Sequence, residues 1–170
     1  MGKLSTKENK TIYHLSREET GLSREKASLA LGWISPERLE KIENEKSNPR
    51  PDEVLEMATV YKNPSLCNYY CANQCPIGLQ YVPAIKIKDL SSIVLEMLSS
   101  LNKIQHKQER FIEIAADSHI SSEEIADFIK IQEELEKLSI NIETLQLWSE
   151  NMLVNGTINI DEYNRIKNNK

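Results

Sequence analysis

Two short helices with separate start signals are encoded between residues 21 and 49, GLSREKASLALGWISPERLEKIENEKSNP. Ser23 is an N-cap candidate for a helix over residues 24–31. Gly32 can end that helix, because glycine adopts the left-handed conformation of a helix C-terminus without strain. Ser35 and Pro36 mark a second start, since proline at the first helical position loses no hydrogen bond. The pattern predicts two short helices joined by a tight turn.

Apolar residues of these two helices fall where they can meet across the turn. Leu39 and Ile42 are three residues apart and share one face of the second helix. Leu31 and Ile34 can pack against that face from the first helix and the turn. Two capped helices around a glycine-containing turn have the sequence form of a helix-turn-helix.

Further helices are predicted on both sides of this motif. One covers residues 11–20, with Ile12, Leu15 and Tyr13 as its candidate inward residues. Another starts at residues 50–52, and a short one runs from about residue 65 to 73. The buried side of the helix that starts at residues 50–52 is predicted to consist of Val54, Leu55, Met57 and Ala58.

The segment over roughly residues 10–65 resembles the Xre/Cro-like helix-turn-helix domain of bacterial and phage repressors. The residues that carry the resemblance are Leu22-Ser23-Arg24-Glu25, Leu31-Gly32, Ser35, Ile42-Glu43, Asn48-Pro49 and Asp52-Glu53-Val54-Leu55-Glu56-Met57-Ala58. A narrower resemblance, over residues 61–78, is to clostridial-type proteins that join this domain to a helical tail. It is carried by Leu66-Cys67-Asn68-Tyr69-Tyr70-Cys71 and Cys75-Pro76-Ile77-Gly78.

The resemblance to the Xre/Cro-like domain implies an all-α, lambda-repressor-like fold that reads DNA with the start of its second motif helix. By position the base contacts would be Glu37, Arg38 and Lys41. Arg38 could pair with guanine, and Glu37 could accept a hydrogen bond from cytosine N4. The remaining candidates are Ser23, Arg24 and Lys46 for phosphate contacts and Ser35 for the helix cap. Each of these side chains could instead be an ordinary solvated surface group.

The charge of the chain limits how it can bind nucleic acid. Its formal net charge is −5, and residues 1–66 contain 11 Lys/Arg and 11 Asp/Glu. The second motif helix and the segment after it carry more carboxylates than cations: Glu37, Glu40, Glu43 and Glu45 against Arg38, Lys41 and Lys46. Carboxylates near phosphates oppose the neutralisation that supplies DNA affinity. The charge therefore favours an alternative function, a protein-interaction module on a helix-turn-helix fold that has lost DNA binding, whereas the motif spacing favours a DNA-binding regulator.

Long helices are predicted in the second half of the chain. Two mostly apolar seams alternate in steps of four and three: Leu90, Val94, Met97, Leu101, Ile104, Gln108, Phe111 and Ala115, then Phe128, Ile131, Leu135, Leu138, Ile142, Leu145, Ser149 and Met152. This heptad pattern predicts a coiled-coil hairpin with its loop near residues 117–119. Further apolar positions give more apolar surface than one hairpin can hide. Two hairpins could pair into a four-helix bundle, or one hairpin could pack on its own chain.

These patterns divide the chain into three parts. Residues 1–75 form the predicted helix-turn-helix DNA-binding domain. Residues 76–88, PIGLQYVPAIKIK, contain two prolines and a glycine and are predicted to be a linker. Residues 89–170 form the predicted helical hairpin, which would make the protein a homodimer.

Three cysteines, Cys67, Cys71 and Cys75, recur every four residues. The spacing is compatible with a metal or iron–sulfur site, a thiol sensor, or buried free thiols. In a straight helix the first and last are about 12 Å apart, whereas two thiolates on one zinc ion lie within about 4 Å. A three-cysteine site therefore needs the helix to break before Cys75. We favour buried thiols that pack as small apolar groups, and predict no cofactor.

The sequence contains no recognisable catalytic set. It has no Ser/His/Asp arrangement, glycine-rich phosphate loop or pair of carboxylates in a pocket, so we predict that the protein is not an enzyme. The first ten residues lack the apolar core of a signal peptide, and no apolar run approaches the roughly 20 residues of a membrane span. The sequence predicts a cytoplasmic, dimeric transcription regulator whose partner is double-stranded DNA, with its thiols mostly reduced.

Overall fold

The computed structural model of the chain describes residues 10–169, and all regular structure in this range is helical. The helices are α1 Ile12–Glu19, α2 Arg24–Leu31, α3 Pro36–Glu43, α4 Pro51–Val60, α5 Ser65–Asn73, α6 Gly78–Tyr81, α7 Leu90–His106, α8 Gln108–Ala115, α9 Ile125–Val154 and α10 Ile160–Asn168. An N-terminal helix-turn-helix domain is followed by long helices, which confirms the predicted all-α fold class. The segment 1–9, where we expected no signal peptide, lies outside the described residues.

The chain forms two compact units. Among the described residues, one unit consists of residues 10–84 and 149–169, and the other is Ile85–Trp148. Helix α9 supplies residues to both units, and its last turn belongs to the first unit. Within residues 10–169, no helix combines the length and the apolar character that crossing a membrane requires.

The start and stop signals of α2 and α3 lie where the sequence predicts them. Ser23 accepts a hydrogen bond from the backbone N–H of Lys26, and Ser35 accepts one from the backbone N–H of Arg38. Gly32 ends α2 with φ at 76°, a conformation that a residue with a Cβ adopts only with strain. Local side-chain chemistry therefore fixes the ends of both helices of the motif.

One apolar core joins helices α1 to α5. Its buried members are Tyr13, Ala27, Leu31, Ile34, Leu39, Ile42, Val54, Met57, Ala58, Tyr61 and Leu66. Leu31, Ile34, Leu39 and Ile42 meet in this core, which confirms the packing predicted across the turn.

Two expectations about inward residues are wrong. Leu15 is 45% exposed and Leu55 is 61% exposed, whereas Tyr13 is buried. The ring of Tyr13 packs edge-on against Tyr69 of α5, with 5.9 Å between the ring centroids, and its hydroxyl donates to the side chain of Gln74 at 2.9 Å. Contacts with α5 and the residue after it therefore bury the side of α1 that contains Tyr13. The apolar pattern of α1 alone does not indicate which side is buried.

The predicted linker contains a short helix, α6, which packs on α5. Gly78 at its start is buried, and a Cβ atom at this position would overlap the backbone of Cys71. A glycine is required here because the two backbones approach more closely than any side chain allows. The extended part of the segment begins only at Val82.

Replacing Gly78 with alanine should therefore destabilise the packing of α6 on α5. Because the obstacle is backbone that cannot rotate away, we expect a loss of about 1 to 3 kcal/mol in unfolding free energy. Urea denaturation of the full chain measures this loss. The matched control is Gly156→Ala, since a Cβ there meets open space and the cost is only that of its left-handed φ of 73°. If the Cys71 thiol becomes more accessible in Gly78→Ala but not in Gly156→Ala, the contact between α5 and α6 is the part that loosens.

The second unit is an antiparallel helical hairpin. Four contacts connect the segment of α7 and α8 to α9: Ser100 to Asn141, Lys103 to Glu134, Lys107 to Lys130 and Arg110 to Asp127. Residue numbers increase along α7 and α8 while those of their partners in α9 decrease, so the two arms run in opposite directions. The predicted continuous first helix is broken at Lys107, where φ is −104° and ψ is 3°. The Nζ of Lys107 donates to the backbone carbonyl of Lys130 at 3.2 Å, so a tertiary contact accompanies this break.

The hairpin buries Ile131 of the predicted seams, but its other buried residues lie outside them. Its buried positions are Ile93, Ser100, Ile114, Ile131, Glu134, Asn141, Thr144 and Leu147. Residues expected in the seam are exposed by about two fifths: Leu90 40%, Leu101 43%, Phe111 37%, Leu135 39% and Ile142 43%. Polar contacts between the two helices accompany this difference, because the Ser100–Asn141 hydrogen bond and the Lys103–Glu134 ion pair place polar groups in the interface. The exposed residues of the predicted seams therefore lie beside the buried row.

Candidate nucleic-acid interface

The start of α3 is an exposed helix end with a fixed geometry. Ser35 is the N-cap and Pro36 occupies the first helical position, while Glu37 and Lys41 are exposed one turn apart. A hydrogen bond from Ser35 lowers the pKa of Glu37, and the charge of Lys41 lowers it further. Glu37 is therefore ionised at neutral pH. This helix end presents one acceptor and one cation side by side.

A buried carboxylate, Glu43 at the end of α3, joins the first three helices. It is 1% exposed, and its oxygens accept from Arg17 of α1 at 2.5 and 2.9 Å and from Arg24 of α2 at 2.9 Å. Burial disfavours the charge of Arg17, but the hydrogen bond with Glu43 and the negative charge of Glu43, with smaller contributions from other neighbours, together outweigh it and raise the pKa of Arg17. The Nδ1 atom of His14 lies 3.7 Å from the same carboxylate. This network holds the end of α3 against α1 and α2.

A second ion pair, between Arg38 and Glu53, holds α3 against α4. The guanidinium of Arg38 donates to both oxygens of Glu53 at 2.7 and 2.6 Å, to Ser47 at 2.6 Å and to the carbonyl of Asn48 at 2.9 Å. Burial alone would raise the pKa of Glu53, but Arg38 and the backbone N–H of Arg50 lower it. Arg38 is therefore engaged on all sides with the loop and the helix that follow α3.

The candidate phosphate contacts lie at two places. Ser23 and Arg24 begin α2, where the unpaired backbone N–H groups and the helix dipole favour an anion. Lys46 follows α3, and its Nζ lies 3.8 Å from a carboxylate oxygen of Glu40. Arg24 already shares Glu43 with Arg17. The structure thus places Ser35, Glu37 and Lys41 together on α3, and leaves Arg24, Arg38 and Lys46 each beside a carboxylate.

Two carboxylates of this domain, Glu43 and Glu53, are buried, which was not predicted from the sequence. Each lies four residues from an apolar core residue on the same helix, Leu39 for Glu43 and Met57 for Glu53. A carboxylate on the apolar side of a helix is a signal for a buried ion pair. The partners Arg17 and Arg38 are 26 and 15 residues away, so the pairing itself has no sequence signal.

Trp33 in the turn supports the start of α4 rather than the core. It is 49% exposed, and the guanidinium of Arg50 lies 5.3 Å from the centre of its ring. This cation–π contact connects the α2–α3 turn with α4.

The three cysteines do not form a recognisable metal centre. Cys67, Cys71 and Cys75 are free and half-buried. Burial raises the pKa of the Cys67 thiol, which reduces the thiolate form that binds metals or reacts with oxidants. In the described part of the chain, no group of three or more His, Cys, Asp or Glu side chains could hold a metal ion.

Comparison with known proteins supports the helix-turn-helix assignment for one segment. Residues 15–65 match the family model described as Helix-turn-helix, which begins within α1 and ends at the first residue of α5. Neither the curated proteins nor the solved structures contain a match to the chain. The match supports a DNA-binding helix-turn-helix regulator in general, a class that is generally not enzymatic.

Proposed function

We propose that this protein is a cytoplasmic transcription regulator of the Xre/Cro-like type that binds double-stranded operator DNA as a homodimer. The observation that carries the proposal is the exposed start of α3. It is capped by Ser35 and held in place by two ion pairs whose carboxylates, Glu43 and Glu53, are buried. A helix end that is held this rigidly loses little conformational entropy when it enters a DNA groove. The helix-turn-helix match over residues 15–65 supports the same function.

In this proposal α3 lies in the major groove and two of its side chains read bases. Glu37 accepts a hydrogen bond from cytosine N4, and Lys41 donates to guanine O6 or N7. Arg38 has a positioning role instead of a reading role, because its guanidinium is already bound to Glu53, Ser47 and the Asn48 carbonyl. The start of α2, with Ser23 and Arg24, and Lys46 after α3 contact phosphates.

The second unit supplies the dimer interface. At about 100° per residue, Leu90 and Leu101 of α7 lie beside the buried row of Ile93 and Ser100, and Leu135 and Ile142 lie beside the buried row of α9. Because the helices are antiparallel, both exposed rows fall on the same side of the hairpin. We call Leu90, Leu101, Leu135 and Ile142 the apolar face.

A second copy of the hairpin is the partner that fits the apolar face. Two such faces would close into a four-helix bundle and remove both from water. A two-fold dimer of this kind presents two α3 helices to half-sites about one helical turn apart. The expected operator is therefore a palindrome.

The alternative function is a protein-interaction module, and one observation favours it. Arg24, Arg38 and Lys46 each have a carboxylate partner, so few cations on this surface are free to neutralise phosphates. Leu29 on the outer side of α2 is 81% exposed and could contribute to a protein contact. The two functions differ in whether any DNA sequence is bound at low salt.

Selection from a random-sequence duplex library distinguishes them. For the DNA-binding function we expect enrichment of a palindromic site by the full-length protein at low salt. Recovery of unrelated sequences in repeated selections, with no common site, would favour the interaction module. Affinity for the enriched duplex is then measured over a range of salt concentrations.

Replacing Lys41 with alanine should weaken operator binding and change its salt dependence. If Lys41 reads guanine, we expect a loss of about 1 to 3 kcal/mol per half-site and relaxed preference at one base pair. If it contacts a phosphate instead, the salt slope should decrease by about 1 per half-site without relaxed preference. Fluorescence anisotropy on the operator and on single-base variants separates these results. The control, Lys86→Ala, removes an exposed lysine of the other unit and should leave both properties unchanged.

A further inference from the structure

A polar cleft of about 500 Å³ lies in the first unit, away from the exposed start of α3. Its lining includes Glu19, Thr20, Lys62, Asn63 and two residues at the end of α9, Asn151 and Asn155. The volume is within the range of about 300 to 1,000 Å³ that is usual for small-molecule sites. No residue of the proposed DNA interface contributes to the cleft.

Three helices end at this cleft. Helix α1 ends at Glu19, α4 ends at Val60 and α9 ends at Val154, and residues at or next to each end line the cleft. The last carbonyl groups of a helix lack intrahelical donors and carry the negative end of the helix dipole. At the end of α1 the carboxylate of Glu19 adds to this negative charge and favours a positively charged group, whereas at the end of α4 the cation Lys62 offsets it.

The lining of the cleft also offers a cation and amides. Lys62 is exposed directly after α4, where its φ of 54° places it in the left-handed region. Asn151 and Asn155 are four residues apart and therefore project from the same side of α9. Asn151 also donates to the hydroxyl of Ser65 at 3.4 Å, which fixes the end of α9 to α5. These groups suit a carboxylate and the polar atoms next to it.

Tyr61 provides an independent indication of a ligand. It lines the cleft and is 4% exposed, yet its hydroxyl has no hydrogen-bond partner among residues 10–169. A buried hydroxyl without a partner costs about 1 to 3 kcal/mol. A polar ligand in the cleft could supply the missing partner.

We propose that this cleft binds a free α-amino acid, with its ammonium group at Glu19 and the end of α1 and its carboxylate at Lys62. The ligand class follows from the carboxylate, the cation and the amides that share one lining, a set of groups that matches the zwitterion. Because the end of α9 forms one side of the cleft, the amino acid contacts the helix that continues into the second unit. This site is separate from the proposed DNA function, and its binding is measured without DNA.

Isothermal titration calorimetry and thermal shift of the full-length protein with each of the 20 common L-amino acids test the site. We expect at least one to bind, and to bind at least about tenfold more tightly than its des-amino acid or its decarboxylated amine. Absence of binding by the whole panel would overturn the proposal. Tighter binding of the amine or of a diamine such as putrescine would also overturn it, because the site would then recognise ammonium alone.

Two conservative variants localise the binding. Glu19→Gln and Lys62→Gln remove one charge each from exposed positions, so we expect folding to be unchanged and amino-acid affinity to fall about tenfold or more in each. The controls are Glu109→Gln and Lys86→Gln, which remove exposed charges of the other unit. Unchanged affinity in both cleft variants would place the ligand elsewhere and refute the assignment.

Tyr61→Phe separates a ligand contact from a structural role. Because the hydroxyl makes no internal hydrogen bond, its removal should leave the melting temperature of the free protein unchanged or higher. The affinity for the amino acid should fall several-fold. A variant that loses stability without losing affinity would show that the hydroxyl serves the core and not the ligand.

Discussion

Replacing Glu43 with alanine should lower the unfolding free energy of the first unit by about 3 to 5 kcal/mol. The carboxylate is 1% exposed and binds the guanidinium groups of Arg17 and Arg24. Without it, Arg17, which is itself 6% exposed, becomes a buried charge that has lost its counter-ion. The cost arises from this uncompensated charge more than from the lost hydrogen bonds. Urea denaturation followed by Trp33 fluorescence, in a Trp148→Phe background, reports on the first unit alone.

A matched control and a double variant test this explanation for Glu43. Glu40→Ala removes an exposed carboxylate from the same helix, and we expect a change within about 0.5 kcal/mol. The double variant Arg17→Met/Glu43→Met leaves no charge in the buried pair and should recover most of the lost stability. A double variant no more stable than Glu43→Ala would show that the loss comes from packing and not from the unpaired charge.

Replacing Leu101 with glutamate should convert the proposed dimer into monomers. Leu101 belongs to the apolar face and is 43% exposed in the single chain. Burial of a leucine contributes about 1.5 to 3 kcal/mol and each dimer contains two copies, so we expect the dissociation constant to rise by about 100-fold or more. Sedimentation equilibrium over a range of protein concentrations measures this constant. A Leu101→Glu protein that remains fully dimeric would show that the apolar face is not the interface.

The control for Leu101 lies on the same helix. Leu95 is 67% exposed, but it is about 120° around α7 from Leu101, so Leu95→Glu should remain dimeric. Equal dissociation of both variants would mean that the interface is wrongly placed.

Operator binding should follow the oligomeric state. A palindromic site is bound by two linked domains, and losing the link removes the high effective concentration of the second domain. Leu101→Glu should therefore weaken binding to the full palindrome strongly and leave binding to an isolated half-site unchanged. Equal weakening at the half-site would indicate damage to the DNA-binding unit rather than loss of the dimer.

The helix-turn-helix could be predicted because its determinants are local. The caps Ser23 and Ser35 and the stop at Gly32 act within a few residues, and the apolar spacing that brings Leu39 and Ile42 into the core follows from helix geometry alone. The same locality explains the end of α9 before Gly156, which has a φ of 73°.

The candidate site was only partly predictable. The exposed positions Glu37 and Lys41 follow from the helix period, whereas the environment of Arg38 depends on Glu53, 15 residues away. An arginine at the start of a recognition helix looks like a base contact in the sequence. Its guanidinium makes four hydrogen bonds to α4 and to the loop before α4, and only the folded arrangement shows this.

The sequence by itself determined the helical class, the ends of α2 and α3 and the apolar residues between them, because these depend on capping, backbone preference and period. The tertiary structure alone decided which carboxylates pair with Arg17 and Arg38, that α5 covers Tyr13, and which row of the hairpin is buried. Those outcomes depend on groups far apart in the chain. A heptad pattern offers several adjacent rows, and the Ser100–Asn141 and Lys103–Glu134 contacts select one of them.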